Sequence, residues 1–344
     1  MSEKYFIASN SSEGFCSYYG DTFEISKFSK IYAIKGGSGT GKAFFMKEIA
    51  KRAEERGFSV RYIYCSSDSS SLDAIIINEP KIAVLDGTAP HIYEPALVGA
   101  VDSIVDLGKF LNSDMLSKSR KQIESILNKK KRGFNSAYRY LKAYHLLSEN
   151  IEALIYPALK LEKIRKYATG LAKGIEEGKG EIEHRLVRAI GMRGLSSFDT
   201  YYENAKIYYE INDYFDSAHV LLDEIFNAFR QKRADMYISN NPIIRERLDT
   251  LYTAKQGLCF EISNQGRSDA RKINMKRFVD LDEISKIRQE YRAIARLRDD
   301  ALNMALDEFE KIKKYHFILE KIYGSAMDFD AKEKFTEQFF NKIF

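Results

Sequence analysis

Residues 36–42 read Gly-Gly-Ser-Gly-Thr-Gly-Lys, set between an apolar run, Ile31-Tyr32-Ala33-Ile34, and a helical pattern, Phe44-Phe45-Met46 with Ile49. A strand, a glycine loop ending in lysine and a helix form the setting of a phosphate-binding loop, and they confine this part of the chain to an α/β layered fold. Glycines at 36, 37, 39 and 41 let the backbone reach positive φ and turn successive amides toward an anion. The helix beginning near residue 42 adds the positive end of its dipole. Lys42 adds a mobile charge for β- and γ-phosphates. The pattern G-x-x-x-x-G-K-[ST] closes on a hydroxyl, but this chain has Ala43 there, and a methyl group cannot ligate the magnesium ion that bridges the phosphates. The residues therefore predict ATP held by Gly36, Gly37, Ser38, Gly39, Thr40, Gly41, Lys42 and Ala43, with Mg²⁺ bound weakly or through water.

Two more apolar runs, Arg61-Tyr62-Ile63-Tyr64-Cys65 and Ile82-Ala83-Val84-Leu85-Asp86, predict further strands of a parallel sheet, separated by helices and covered on both faces. Ligands on such sheets sit at the carboxyl ends of the strands, so residues 36–42, 65–68 and 86–91 should converge. Asp86 ends a hydrophobic strand and is the acid expected to hold the metal and share the catalytic work with Lys42. Its other reading is a turn aspartate before Gly87. Because residue 87 is glycine, the glutamate that activates water in many ATPases is missing. Asp68, Asp73 and His91 are candidates for polarising water or substrate, and each is open to a structural role. Cys65 reads as a small buried residue.

At 344 residues the chain has room for two domains. Cys16, Cys65 and Cys259 are too scattered for a disulfide framework or a zinc set, no apolar run approaches a membrane span, and the N-terminus lacks the order of a signal peptide. These features predict a cytoplasmic chain without membrane contact. The net charge of +5 is mild, and the cluster Lys129-Lys130-Lys131-Arg132 reads as a solvated helix face, so nucleic acid is not indicated. From residue 116 apolar positions recur at helical spacing, and Gly174, Gly178 and Gly180 suggest a loose linker. The expected layout is a nucleotide-binding domain over 1–115, a helical appendage and linker over 116–185, a second α/β domain over 186–285 and a helical segment over 286–344.

The second half echoes the first. Lys30-Ile31-Tyr32 matches Lys206-Ile207-Tyr208, Glu48-Ile49 matches Glu224-Ile225, and Leu72-Asp73 matches Leu248-Asp249, all at one offset of 176. At slightly smaller offsets Val105-Asp106-Leu107 matches Val279-Asp280-Leu281, and Tyr144-His145 matches Tyr315-His316. This order predicts a duplicated unit. Residues 212–219 then stand where the glycine loop should recur, yet hold neither glycine nor lysine, and Asp213 and Asp216 would repel phosphate.

The segment 31–42, together with Cys65-Ser66-Ser67-Asp68, Ser71-Leu72-Asp73 and residues 84–95 (Val-Leu-Asp-Gly-Thr-Ala-Pro-His-x-x-Glu-Pro), resembles a family of bacterial tandem P-loop ATPases found mainly in spore-forming Firmicutes. The resemblance is close over residues 5–110 and fainter but collinear beyond. It implies a P-loop NTPase fold with helical appendages, in which Gly36, Gly37, Gly39, Gly41 and Lys42 match the phosphate loop and Asp86 the acidic strand end. Ala43 and the erased second loop depart from the pattern. The expected function is a slow ATPase, the alternative a nucleotide-binding scaffold without turnover, whose helices meet a protein partner or a second copy of the chain.

Overall fold

The computed structural model describes residues 3–343. Its first half runs β1 (Glu3–Phe6), β2 (Ala8–Ser11), β3 (Gly14–Ser17), α1 (Tyr19–Thr22), β4 (Lys30–Lys35), α2 (Lys42–Glu55), β5 (Val60–Tyr64), β6 (Leu72–Ile77), β7 (Ile82–Asp86), β8 (Asp102–Asp106), α3 (Ser113–Lys118), α4 (Arg120–Ile155) and α5 (Leu161–Ala172). The second half runs β9 (Ile182–His184), β10 (Arg188–Gly191), β11 (Gly194–Ser197), α6 (Thr200–Asn204), β12 (Ile207–Asn212), α7 (Ala218–Gln231), β13 (Met236–Asn240), β14 (Leu248–Thr253), β15 (Leu258–Ile262), β16 (Arg271–Asn274), α8 (Leu281–Ser325) and α9 (Phe329–Ile343).

Each half builds one six-stranded sheet, in the orders β1-β5-β6-β7-β4-β8 and β9-β13-β14-β15-β12-β16. The sheets are mixed rather than wholly parallel. β6 runs antiparallel between β5 and β7, as β14 does between β13 and β15, while the remaining neighbours are parallel. Even the irregularities coincide, with register shifts at Ile63/Tyr64 and at Ser239/Asn240. β6 occupies the stretch where a helix was expected between the second and third strands. Its core, Ala74-Ile75-Ile76-Ile77, is buried on both faces and so lacks the alternation that marks a strand in sequence.

The matches at offset 176 fall on equivalent elements, with Leu72 and Leu248 each opening the antiparallel strand. The match of Val105 to Val279 does not hold, because Val105 lies in β8 and Val279 lies just ahead of α8. Backbone bonds set a different register here: Asp328 N donates to Phe110 O as Lys160 N donates to Phe278 O. In this register of 168 Tyr144 corresponds to Ile312 rather than to Tyr315, so that match also fails, although both tyrosines lie in the long helices.

Helices α4 and α8 lie antiparallel. Phe134 meets Phe309 and Lys130 meets His316 toward one end, while Ile151 shares a cluster with Ile284 at the other. Gly133 permits the close approach, since a Cβ there would stand 2.7 Å from Ile312. Each long helix thus carries its successor to the opposite sheet. Helix α5 packs on α7 through Ile164 and Ala168, and α9 packs on α2 through Phe335 and Phe339. Within the cluster 129–132, Lys129, Lys131 and Arg132 are exposed as expected, but Lys130 turns inward to His316. The glycines near 178 are not loosely packed. The Asp235 carboxylate accepts the Lys179 and Glu181 amides, and Gly178 N donates to Arg233 O, tying this segment to the second half.

Phe339 is 8% exposed and packs against both Phe45 and Tyr32, so it fastens α9 to the first sheet. Phe339→Ala should lower unfolding stability by about 3–4 kcal/mol in a denaturant titration. A loss below about 1 kcal/mol would mean that α9 does not seal that sheet.

Candidate functional site

β4 ends at Lys35 and α2 begins at Lys42, so the glycine segment spans the gap between a central strand and a helix N-terminus. Gly39 and Gly41 hold φ of +74° and +77°, values that L residues with a side chain seldom adopt. Thr40 is fully buried, and its hydroxyl donates to Gly37 O at 2.9 Å, closing the loop. Lys42 Nζ donates to Gly36 O and Gly37 O, both at 3.0 Å, and pairs with Asp86 Oδ2 at 3.5 Å. The ammonium thus folds into the cradle of its own loop. Ala43 packs on the hydrophobic core under α2.

Asp86 closes β7, the strand next to β4 in the sheet. Its Oδ1 accepts the Thr88 amide at 2.9 Å and the Thr88 hydroxyl, as a turn aspartate does, while its Oδ2 faces the loop lysine. Burial pushes its pKa up, and Lys42 and Thr88 only partly offset this.

The antiparallel course of β6 brings Asp73 back to the same sheet edge as Asp86. His91 Nε2 lies 2.9 Å from Asp73 Oδ2, each residue 5% or less exposed, and ligand-type atoms of Cys65, Asp73 and His91 lie within 4.8 Å of one another. Burial alone would lower the His91 pKa, but the Asp73 carboxylate outweighs it and the net direction is upward. Cys65 is pushed well above the usual thiol range, first by burial and then by Asp73. Tyr19 stacks on the His91 ring at 4.6 Å. Asp73 and His91 therefore form a buried pair near Asp86. Asp68 does not join them. It accepts from Ser70 and from Arg193 Nε at 2.5 Å, binding the β5–β6 loop to the β10–β11 hairpin.

Sequence reasoning missed what covers the loop. The C-terminal end of α8 and the start of α9 lie on it. A Cβ on Gly37 would stand 3.1 Å from the Tyr323 ring, one on Gly39 2.6 Å from Glu320 O, and one on Gly41 2.6 Å from Lys332 Nζ. These residues come from some 280 positions away, and no local pattern marks them. Asp102 was missed too, although it lies only 5 to 9 residues from its partners, because no motif marks an acid at the start of a strand. From the start of β8 it accepts the Tyr93 hydroxyl and the Ala96 and Leu97 amides, fixing the loop that carries His91.

The segment between β12 and α7 holds the same place in the second sheet with other chemistry. Phe215 and Asp216 take positive φ without glycine. Asp213 Oδ1 accepts the Ala218 amide at 2.9 Å and Oδ2 accepts the Asp216 amide at 3.1 Å, so a carboxylate sits where this helix end would receive an anion. Asp216 pairs with Arg298 of α8. Glu152, near the end of α4, bridges Arg247 at 2.6 Å and His219 at 3.4 Å. A cavity of about 1310 Å³ lies elsewhere, between the two halves near Tyr5, Arg61, His184 and Asp223. Among the described residues no helix is long and apolar enough to cross a membrane.

Comparison with family models, with curated proteins and with solved structures found no match.

His219 first, and then Arg247, hold the Glu152 carboxyl down to about 2 from 4.5. A depressed acid contributes stability that is present above its unfolded value and lost as pH falls through its folded one. Thermal midpoints should therefore decline between pH 4.5 and 2, and Glu152→Gln should flatten that decline. An unchanged slope in the variant would contradict the bridge.

Proposed function

We propose that the chain is an ATP-binding protein of the P-loop type, built from a duplicated unit of which only the first copy keeps a nucleotide site. The observation that carries this reading is the Gly36–Lys42 loop at the N-terminus of α2, with two αL glycines and Lys42 facing Asp86. Lys42 and the loop amides would bind the phosphate chain and offset the charge that develops on a transferring phosphoryl group. Asp86 would orient Mg²⁺ directly or through water, and water would fill the coordination place that Ala43 leaves open. Duplication is supported by the matched strand orders, the matched register shifts and the collinear repeats. The self-capped loop at Asp213 supports a second copy without nucleotide.

Turnover on this reading is slow. Position 87 is glycine, and the nearest acid–base pair, Asp73 with His91, is buried under Tyr19. A nucleotide-sensing scaffold without hydrolysis is the second reading. It is favoured by the packing of α8 and α9 on the loop glycines, which would make occupancy felt by the helices that join the halves.

Lys42→Ala should abolish ATP binding in calorimetry, whereas undiminished affinity would refute the site. Ala43→Ser should raise Mg²⁺-dependent phosphate release about tenfold or more if the missing hydroxyl limits the rate. No gain would favour the sensing scaffold.

A further inference from the structure

Lys332 lies in the first turn of α9 and is 4% exposed. Among the described residues no carboxylate lies within ion-pair distance of its ammonium, although Glu333 and Glu48 act on it from farther off. Its Nζ stands over the rings of Phe44 at 4.8 Å and Phe329 at 5.3 Å. These faces attract a cation but replace only part of its hydration. A buried lysine so weakly partnered costs folding free energy, and its burial pulls its pKa down.

The ammonium is also aimed. It lies 2.6 Å from where a Cβ on Gly41 would stand, at the residue that caps α2 and precedes Lys42. The other half supplies an internal comparison. Asp328 and Lys160 enter their helices through the same backbone bond, so four residues on Lys332 corresponds to Ile164. Ile164 is fully buried in an apolar core. Its half has a loop already neutralised by the Asp213 carboxylate. In the half whose loop carries no acid, the same helix position is a lysine.

We infer that Lys332 is a second phosphate-binding cation of the glycine loop, delivered by the C-terminal helix of the other half, so that the nucleotide site is completed across the two halves. This rests on the reading of the loop as a nucleotide site. Lys42 approaches the phosphate chain from the loop side and Lys332 from the helix side, and the bound anion replaces the hydration that Lys332 lost on folding. ATP binding would thereby fasten α9, and with it the end of α8, onto the first half.

The test is calorimetry of ATP and of inorganic triphosphate with the full chain, beside thermal unfolding of the ligand-free protein, for wild type, Lys42→Ala and Lys332→Ile. Lys332→Ile should weaken both ligands by roughly tenfold to a hundredfold. It should leave the ligand-free midpoint unchanged or raise it, because an apolar residue replaces a buried charge, as Ile164 does in the other half. Lys332→Arg should recover part of the affinity. If Lys332→Ile does not fold, Lys332→Met repeats the measurement with a chain of similar length. Wild-type binding that Lys42→Ala removes but Lys332→Ile leaves within twofold overturns this inference while sparing the nucleotide site. Affinity and ligand-free stability falling together also overturn it, since that is the mark of a structural residue. If wild type binds neither ligand, the nucleotide reading itself fails and takes the inference with it.

Discussion

Because α4 and α8 pair antiparallel, the helix that follows each is delivered to the sheet of the other half. α5 covers α7, and α9 covers α2. Neither sheet completes its helical layer from its own half, so the two are thermodynamically joined although each has its own strands. The same seam carries the end of α8 onto the glycine loop, placing Glu320 and Tyr323 against Gly39 and Gly37. Whatever occupies the loop must therefore act on the helices that hold the halves together.

The two loops pose one electrostatic problem and resolve it differently. A helix N-terminus at a sheet edge gathers unpaired amides and favours negative charge. At α7 the chain supplies that charge itself through Asp213, with Asp216 drawn to Arg298 and Glu152 drawn to Arg247 and His219. At α2 the loop contains no acid. Lys42 leans on carbonyls of its own loop and on Asp86, whose pKa burial raises, and Lys332 stands close by without a near carboxylate. Two lysines gathered at a helix N-terminus whose loop holds no acid would suit a polyphosphate, and our functional reading follows from that arrangement.

Much of the first site was legible because its parts are local. The glycine spacing, the strand before it and the helix after it lie within about twenty residues and have distinct periodicities. Asp86 was recognisable as an acid ending an apolar strand, and residues 212–219 visibly lack glycine and lysine. What was not legible depended on pairing. β6 is buried on both faces and shows no alternation, so its antiparallel course, and with it the meeting of Asp73 and His91, was hidden. Asp68 resembled a chemical residue in sequence, but Arg193 from the other half claims it. The exchange of α5 and α9 leaves no mark in either helix, because an amphipathic face does not encode which sheet it will cover.

The central claim is an asymmetry: one loop binds nucleotide and its structural counterpart does not. Its most direct measurement is the stoichiometry of ATP binding to the intact chain, by calorimetry at protein concentrations well above the dissociation constant. The account predicts one nucleotide per chain. Two per chain would contradict the self-capped loop at Asp213, and none would contradict the glycine loop as a nucleotide site.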